Sequence, residues 1–144
     1  MQLMPRTAAE MGRDRRFRRG KGRDALFNPK INIELGSKYL SHLMYNGDKV
    51  RNLFKTLAAY NAGPGKLGRW ESKINYQNDP LMFMESIPSP ETRNFIEQVF
   101  IGLWIYRFRL DQPAPSLTQL AEGNWPHYKS VSNRKMEGFS NARN

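Results

Sequence analysis

The 144-residue chain contains no cysteine. A disulfide framework, a thiolate metal site and a thiol nucleophile are all excluded. Histidine is almost absent as well. His42 and His127 stand far apart in sequence, and two isolated imidazoles do not make a metal site, so neither a metal nor any other cofactor is expected. Long apolar runs are missing too: the best apolar segment is broken by Arg107 and Arg109, and nothing is long and uncharged enough to span a bilayer. The opening Met1-Gln2-Leu3-Met4-Pro5 lacks the basic region and apolar run of a secretion signal. Acidic residues are scarce, 13 Asp+Glu against 23 Lys+Arg, for a formal net charge of +10. A surface of that sign draws polyanions, whether nucleic acid, anionic lipid or acidic cell-wall polymer. What the chain does have is apolar and aromatic material, 39% hydrophobic with three Trp, six Tyr and eight Phe. That is enough for one domain with a real core and argues against wholesale disorder.

The positive charge is concentrated. Arg13, Arg15, Arg16, Arg18, Arg19, Lys21 and Arg23 crowd one glycine-containing stretch, opposed by Asp14 and Asp24 alone. Its composition reads as a solvated loop. A nucleic-acid-binding arm is the sharper alternative, although Phe17 is the one ring there on which a base could stack.

Helical punctuation runs through the rest. A short helix is expected over Arg6 to Gly12, after Pro5. Asn28-Pro29 marks the next start, with Asn28 as N-cap and Pro29 at the first helical position. Behind it Ile31, Leu35, Tyr39, Leu40, Leu43 and Met44 recur at helical spacing. Asn46-Gly47 stops that helix, and Asp48 is expected to cap another, whose buried stripe is Val50, Leu53, Phe54, Leu57 and Ala58. A short helix follows near Leu67 to Glu71, with Trp70 turned to the core, then a polar loop over Lys73 to Asp79. Asp79-Pro80 opens a brief helix, and Ser89-Pro90-Glu91-Thr92 opens the longest one, with Ser89 as cap and Glu91 on the positive end of the dipole. Its apolar face is expected to be Ile96, Val99, Phe100, Leu103, Trp104 and Phe108. A last small helix should run near Leu117 to Ala121, and the Ser-, Asn- and Lys-rich end reads as frayed. No strand pattern stands out, so the fold class is all-α.

The most distinctive stretch is Leu57-Ala58-Ala59-Tyr60-Asn61-Ala62-Gly63-Pro64-Gly65. Glycine accepts the conformation that ends a helix and proline cannot continue one, so Tyr60 and Asn61 come to lie together at a rigid corner. On local grammar this is a capped helix end with a packed tyrosine, or a grip for a polar, ring-shaped ligand.

Several motifs in order carry a family likeness. They are Met1-Gln2-Leu3-Met4-Pro5 with Thr7-Ala8; Leu26-Phe27-Asn28-Pro29, Asn32-Ile33 and Leu35-Gly36-Ser37 with Tyr39-Leu40; the Leu57–Gly65 corner; and Glu85-Ser86-Ile87-Pro88 with Glu91-Thr92-Arg93-Asn94. Together they resemble the catalytic domain of soluble-type lytic transglycosylases. The resemblance implies a lysozyme-like, goose-type helical core over residues 1–111, followed over 112–144 by a tail with a short helix. It also implies cleavage of the β-1,4 bond between N-acetylmuramic acid and N-acetylglucosamine in peptidoglycan. There a single glutamate serves first as acid, then as base toward the muramic acid C6 hydroxyl, giving a 1,6-anhydro product; most glycosidases use two carboxylates instead. Gln2, Met4, Tyr60, Asn61 and Glu91 match substrate-binding positions of the family, and Phe95 stands where tyrosine is common, keeping the ring without its hydroxyl.

The acid glutamate of the family precedes the motif with which this chain opens. None of Glu10, Glu34, Glu71, Glu85, Glu91, Glu97, Glu122 and Glu137 matches it, so no catalytic residue is assigned. The expectation is that Met1 is an internal methionine of a longer, bacterial periplasmic or envelope protein, and that this polypeptide lacks cleavage activity by itself. Loss of the first helix should then uncover apolar faces around Leu53, Leu57 and Trp104 and lower stability. The expected partners are peptidoglycan strands and muropeptides, with contact to a membrane or cell-wall surface, no nucleic acid, and a monomeric state. A non-catalytic glycan-binding module and a basic helical nucleic-acid-binding protein are the rival readings.

Overall fold

Proline sets the rhythm of the fold. Pro5, Pro29, Pro64, Pro80, Pro90 and Pro115 each open a helix, where a missing N–H costs nothing and the fixed φ is already helical. The structure is a computed structural model and describes residues 3–45 and 52–130. Eight α-helices lie in those segments: α1 (Pro5–Met11), α2 (Gly20–Asp24), α3 (Pro29–Tyr45), α4 (Leu53–Ala62), α5 (Pro64–Glu71), α6 (Pro80–Glu85), α7 (Pro90–Arg109) and α8 (Pro115–Ala121). Two 3-10 turns, Arg15–Arg18 and Ala25–Phe27, flank α2. Among the described residues the one β-type pairing is an isolated antiparallel bridge between Asn52 and His127. The all-α expectation holds.

The centre of the molecule is α4. Leu53, Phe54, Thr56, Leu57, Ala58 and Ala59 are all buried, and a helix covered on so many sides must sit inside a core rather than on it. Around it gather Met44 from α3, Leu67 from α5, Phe83 and Met84 from α6, Ile87, and Ile96 and Phe100 from α7. The Phe54 and Phe100 rings meet at 4.8 Å with their planes tilted. Each such side chain contributes about 1.5–3 kcal/mol by leaving water. From the C-terminal segment Leu120, Trp125 and Tyr128 pack against the same cluster, and the Leu53 amide donates to the Pro126 carbonyl at 2.8 Å. A second, smaller core joins Leu3, Ala8, Leu26 and Leu35, with Met11, Phe17, Ile31 and Tyr39 along its margin.

Several expectations need correction. The Arg- and Gly-rich stretch is no loop: it forms the 3-10 turn Arg15–Arg18 and then α2. Asp14 caps that turn by accepting from the Arg16 amide at 2.9 Å, and Phe17 anchors it to the small core. Gly22 allows the close approach, since a Cβ there would lie 2.2 Å from the Arg16 carbonyl oxygen. The cap of α4 is Asn52, whose side chain accepts from the Lys55 amide at 3.1 Å; Asp48, Val50 and the Asn46-Gly47 stop lie outside the described residues, as does the end beyond Ser130. Phe108 is 62% exposed rather than buried. At that level of α7 it is Arg107 that turns inward, donating to the carbonyls of Pro113 at 2.6 Å and Lys129 at 3.0 Å. A guanidinium can bond backbone carbonyls of the segments that follow α7, which an aromatic ring cannot. Nor are the faces around Leu53 and Leu57 uncovered, both being buried. Trp104 is half-buried, T-stacked on Phe100 and hydrogen-bonded through its indole N–H to Ser116 Oγ at 3.1 Å.

The other expected helix starts and caps agree with the structure. Asn28 Oδ1 accepts from the Lys30 amide at the head of α3, Asp79 caps α6 and Ser89 caps α7. Trp70 packs on the main core, although α5 begins at Pro64 rather than near Leu67.

Candidate functional site

Gly63 is the only residue between α4 and α5. At φ 92° and ψ 147° it occupies backbone space that side-chain-bearing residues avoid, and its amide still closes α4 by donating to the Ala59 carbonyl. One glycine thus turns the chain from the last turn of α4 into Pro64. The side chains just before the turn, Tyr60 and Asn61, are thereby fixed relative to α7.

The tie to α7 is direct. Thr92 Oγ1 lies 2.7 Å from Asn61 Oδ1 and 3.0 Å from Ser89 Oγ, while the Thr92 amide donates to Ser89 Oγ at 3.3 Å. Thr92 itself is 1% exposed. The head of α7 is held from the other side by Arg93, which donates to the Ile87 carbonyl. Tyr60 is sandwiched between rings: Phe95 lies nearly parallel to it at 6.2 Å and Tyr39 is tilted at 5.5 Å. Its hydroxyl is buried and finds no hydrogen-bond partner among the described residues. Burial holds the Tyr60 phenol above its ordinary value, with the neighbouring Tyr39 adding to the effect. Tyr39 is raised too, by burial first and then by the negative charge of Glu10. Both rings are therefore neutral hydroxyl bearers at physiological pH.

The sequence-predicted positions divide as follows. Tyr60, Asn61 and Phe95 form one group, and Glu91, exposed on the first turn of α7 beside Thr92, flanks it. Met4 lines a groove of about 710 Å³ with Arg23, Leu26, Phe27, Asn32 and Ile33, whose lining includes none of Tyr60, Asn61, Glu91 and Phe95. Gln2 is outside the described residues. Sequence reasoning missed Tyr39 and Thr92 as members of the site. Tyr39 was hidden in the apolar stripe of α3, while Thr92 sits three residues after a cap, where a threonine reads as helix grammar.

No described glutamate has the setting of a general acid. Glu10 pairs with Arg6 and Arg18, Glu34 with Lys38 and Glu71 with Lys55, and Glu85, Glu91, Glu97 and Glu122 are exposed. The Lys38 ammonium beside Glu34 holds its carboxyl below the usual range, the opposite of what an acid catalyst needs. Among the described residues no cluster of three or more His, Asp or Glu could hold a metal ion. No helix there is long and apolar enough to cross a membrane.

The family model of the transglycosylase SLT domain matches residues 1–83, which includes the whole Tyr60–Gly65 corner and stops before α7. The chain belongs to this family. The chain is 34% identical over 112 residues to the soluble lytic murein transglycosylase of Salmonella typhimurium, covering 78% of this chain and 17% of that protein. It is 33% identical over 114 residues to the soluble lytic murein transglycosylase of Escherichia coli K12, with the same coverages. Against the membrane-bound lytic murein transglycosylase C of Glaesserella parasuis the identity is 32%, over 69% of this chain and 32% of that protein. The chain thus spans about a sixth of the length of the soluble relatives. No solved structure matches it.

Proposed function

We propose that this SLT domain grips the glycan strand of peptidoglycan and, within a polypeptide that supplies the acid glutamate, serves cleavage of the N-acetylmuramic acid–N-acetylglucosamine bond with formation of a 1,6-anhydro end. The observation that carries the reading is the corner itself. A buried tyrosine hydroxyl without a partner and a clamped amide lie beside a stacking ring, in a chain whose relatives are named murein transglycosylases. An unpartnered buried hydroxyl costs about 1–3 kcal/mol, and a ligand oxygen or amide is a natural group to relieve it. Substrate contact is assigned to Tyr60, Asn61, Glu91 and Phe95, with Gln2 and Met4 at a neighbouring stretch of the strand. The acid role is assigned to no glutamate of this chain. The expected setting is the bacterial periplasm or envelope, with a domain over residues 1–111 and a tail over 112–144.

The test is to incubate the purified chain with isolated peptidoglycan sacculi, separate the pellet, and analyse soluble products by mass spectrometry. Sedimentation with the sacculi and no release of anhydro-muropeptides is the expected result. Release of anhydro-muropeptides would show that a residue of this chain acts as the acid. Absence from the pellet at high salt, where the charge of the protein is screened, would remove the glycan-gripping reading.

A further inference from the structure

The hydrogen bond between Thr92 and Asn61 has a direction, and that direction decides what position 61 can recognise. A side-chain amide offers a carbonyl at one end and two N–H donors at the other, and a free amide can present either. Here the contact to Thr92 Oγ1 is 2.7 Å, the length of an O–H···O bond and shorter than the usual N–H···O. The Thr92 hydroxyl therefore donates to the Asn61 carbonyl oxygen. Its own oxygen remains free to accept from Ser89 Oγ at 3.0 Å, and Ser89 Oγ in turn accepts the Thr92 amide. Every proton in this chain of contacts has a place, and Thr92 is too deeply buried to exchange its partner for water. With its oxygen held, Asn61 can turn only its Nδ2 toward the site. That nitrogen has no partner among the described residues and, Asn61 being half-buried, is not sealed from solvent.

We propose that Thr92 is a positioning residue that locks the Asn61 amide as a hydrogen-bond donor, so that the site selects a sugar carrying an acceptor, the carbonyl oxygen of an N-acetyl group, over the same sugar bearing a free amine. The inference rests on the glycan reading above and adds the polarity of one contact and the residue that sets it. A free ammonium has no lone pair to offer Nδ2, whereas an acetamido carbonyl has two. Ser89 supports the arrangement twice, as the helix cap and as a donor to Thr92. An isosteric valine at position 92 would keep the packing and release the amide to rotate.

The experiment uses the whole chain and two soluble probes, tri-N-acetylchitotriose and its fully de-N-acetylated trimer, titrated by NMR at one ionic strength. The quantity read is the ratio of the two affinities, and the comparison across variants cancels the repulsion between the amine sugar and a basic protein. The wild type is expected to favour the acetylated trimer, Thr92→Val to lose about 3- to 10-fold of that preference, the scale of one hydrogen bond, and Thr92→Ser to retain it. A purely structural role would lower the melting temperature of Thr92→Val and leave the ratio unchanged, which overturns the inference. Asn61→Asp provides a second route independent of the folding of Thr92→Val. The carboxylate still accepts from Thr92 but has no donor, so the preference should fall. Because the carboxylate also attracts the amine sugar, Asn61→Leu is measured beside it: leucine has neither donor nor charge, so the preference should fall there too, and an unchanged ratio in Asn61→Leu also overturns the inference. If the wild type binds neither trimer, the glycan reading fails and takes this inference with it. If the wild type binds both trimers equally, only the inference fails.

Discussion

Tyr60 carries two opposed demands, and a single atom separates them. Its ring packs between Tyr39 and Phe95, while its hydroxyl is buried without a partner. Removing that hydroxyl keeps the ring contacts and removes an unsatisfied polar group. Tyr60→Phe should therefore leave stability unchanged or raise it by about 1 kcal/mol, read as the midpoint of urea unfolding. The same substitution should weaken co-sedimentation with sacculi, because the lost atom is the one assigned to the ligand. A clear loss of stability would mean that the hydroxyl has a partner in the folded protein. The phenol also makes alkaline pH informative. Its folded value is raised, so the folded state holds the proton more tightly than the unfolded chain does. The associated stability is complete below the unfolded value of 10.0 and is lost as pH rises through the higher folded value. Tyrosinate absorbance during an alkaline titration of wild type and Tyr60→Phe should differ by one late-titrating ring; superimposable curves would count against a buried Tyr60.

At the scale of elements, the hinge between α4 and α5 is one glycine. A Cβ at Gly63 would meet nothing within 4 Å, so Gly63→Ala tests the backbone alone, without steric interference. Its φ of 92° and ψ of 147° predict a loss of about 1–3 kcal/mol by urea unfolding. A neutral result would show that the turn tolerates another backbone conformation. Such local grammar is what made the fold readable from the chain. Proline at a first helical position and Asn28, Asp79 and Ser89 as caps act through contacts within four residues, which the order of residues states directly. Apart from the Asn52 cap on Lys55 and the start of α5 at Pro64, which are local, the failures are contacts across longer separations. Phe17 reaching the small core and Gly22 meeting Arg16 turn a loop composition into helix, and Arg107 finds the Lys129 carbonyl twenty-two residues on. The candidate site divides in the same way. Tyr60 and Asn61 were visible because they adjoin a turn signal, whereas the Asn61–Thr92 bond spans thirty-one residues and left no local mark.

For the whole molecule, the arginine-rich charge and the proposed recognition corner belong to different elements. Arg13, Arg15, Arg19 and Arg23 are exposed on or beside the folded 3-10 turn and α2, and among the described residues none of them is ion-paired with a carboxylate, unlike Arg16 with Asp14 or Arg18 with Glu10. Among the described residues none of them is hydrogen-bonded or ion-paired to Tyr60, Asn61 or Thr92. A fixed array of positive charge on an overall +10 molecule should hold the protein to an anionic polymer in a salt-dependent manner, since screening sets in over about 8–10 Å at 0.1–0.15 M salt. The glycan contacts proposed at the Tyr60–Asn61 corner would be hydrogen bonds and ring packing and should be far less sensitive. Reversing charge at Arg15, Arg19 and Arg23 together lowers the net charge from +10 to +4. The triple variant should lose most of its low-salt binding to sacculi yet keep the wild-type preference for the acetylated trimer. If sacculus binding by the wild type were flat across a salt titration, the arginine platform would have no part in wall attachment. If duplex DNA competed the wild type off sacculi at nanomolar concentration, the platform would belong instead to a nucleic-acid partner, because a polymer of phosphates outbids the sparser carboxylates of stem peptides for the same array.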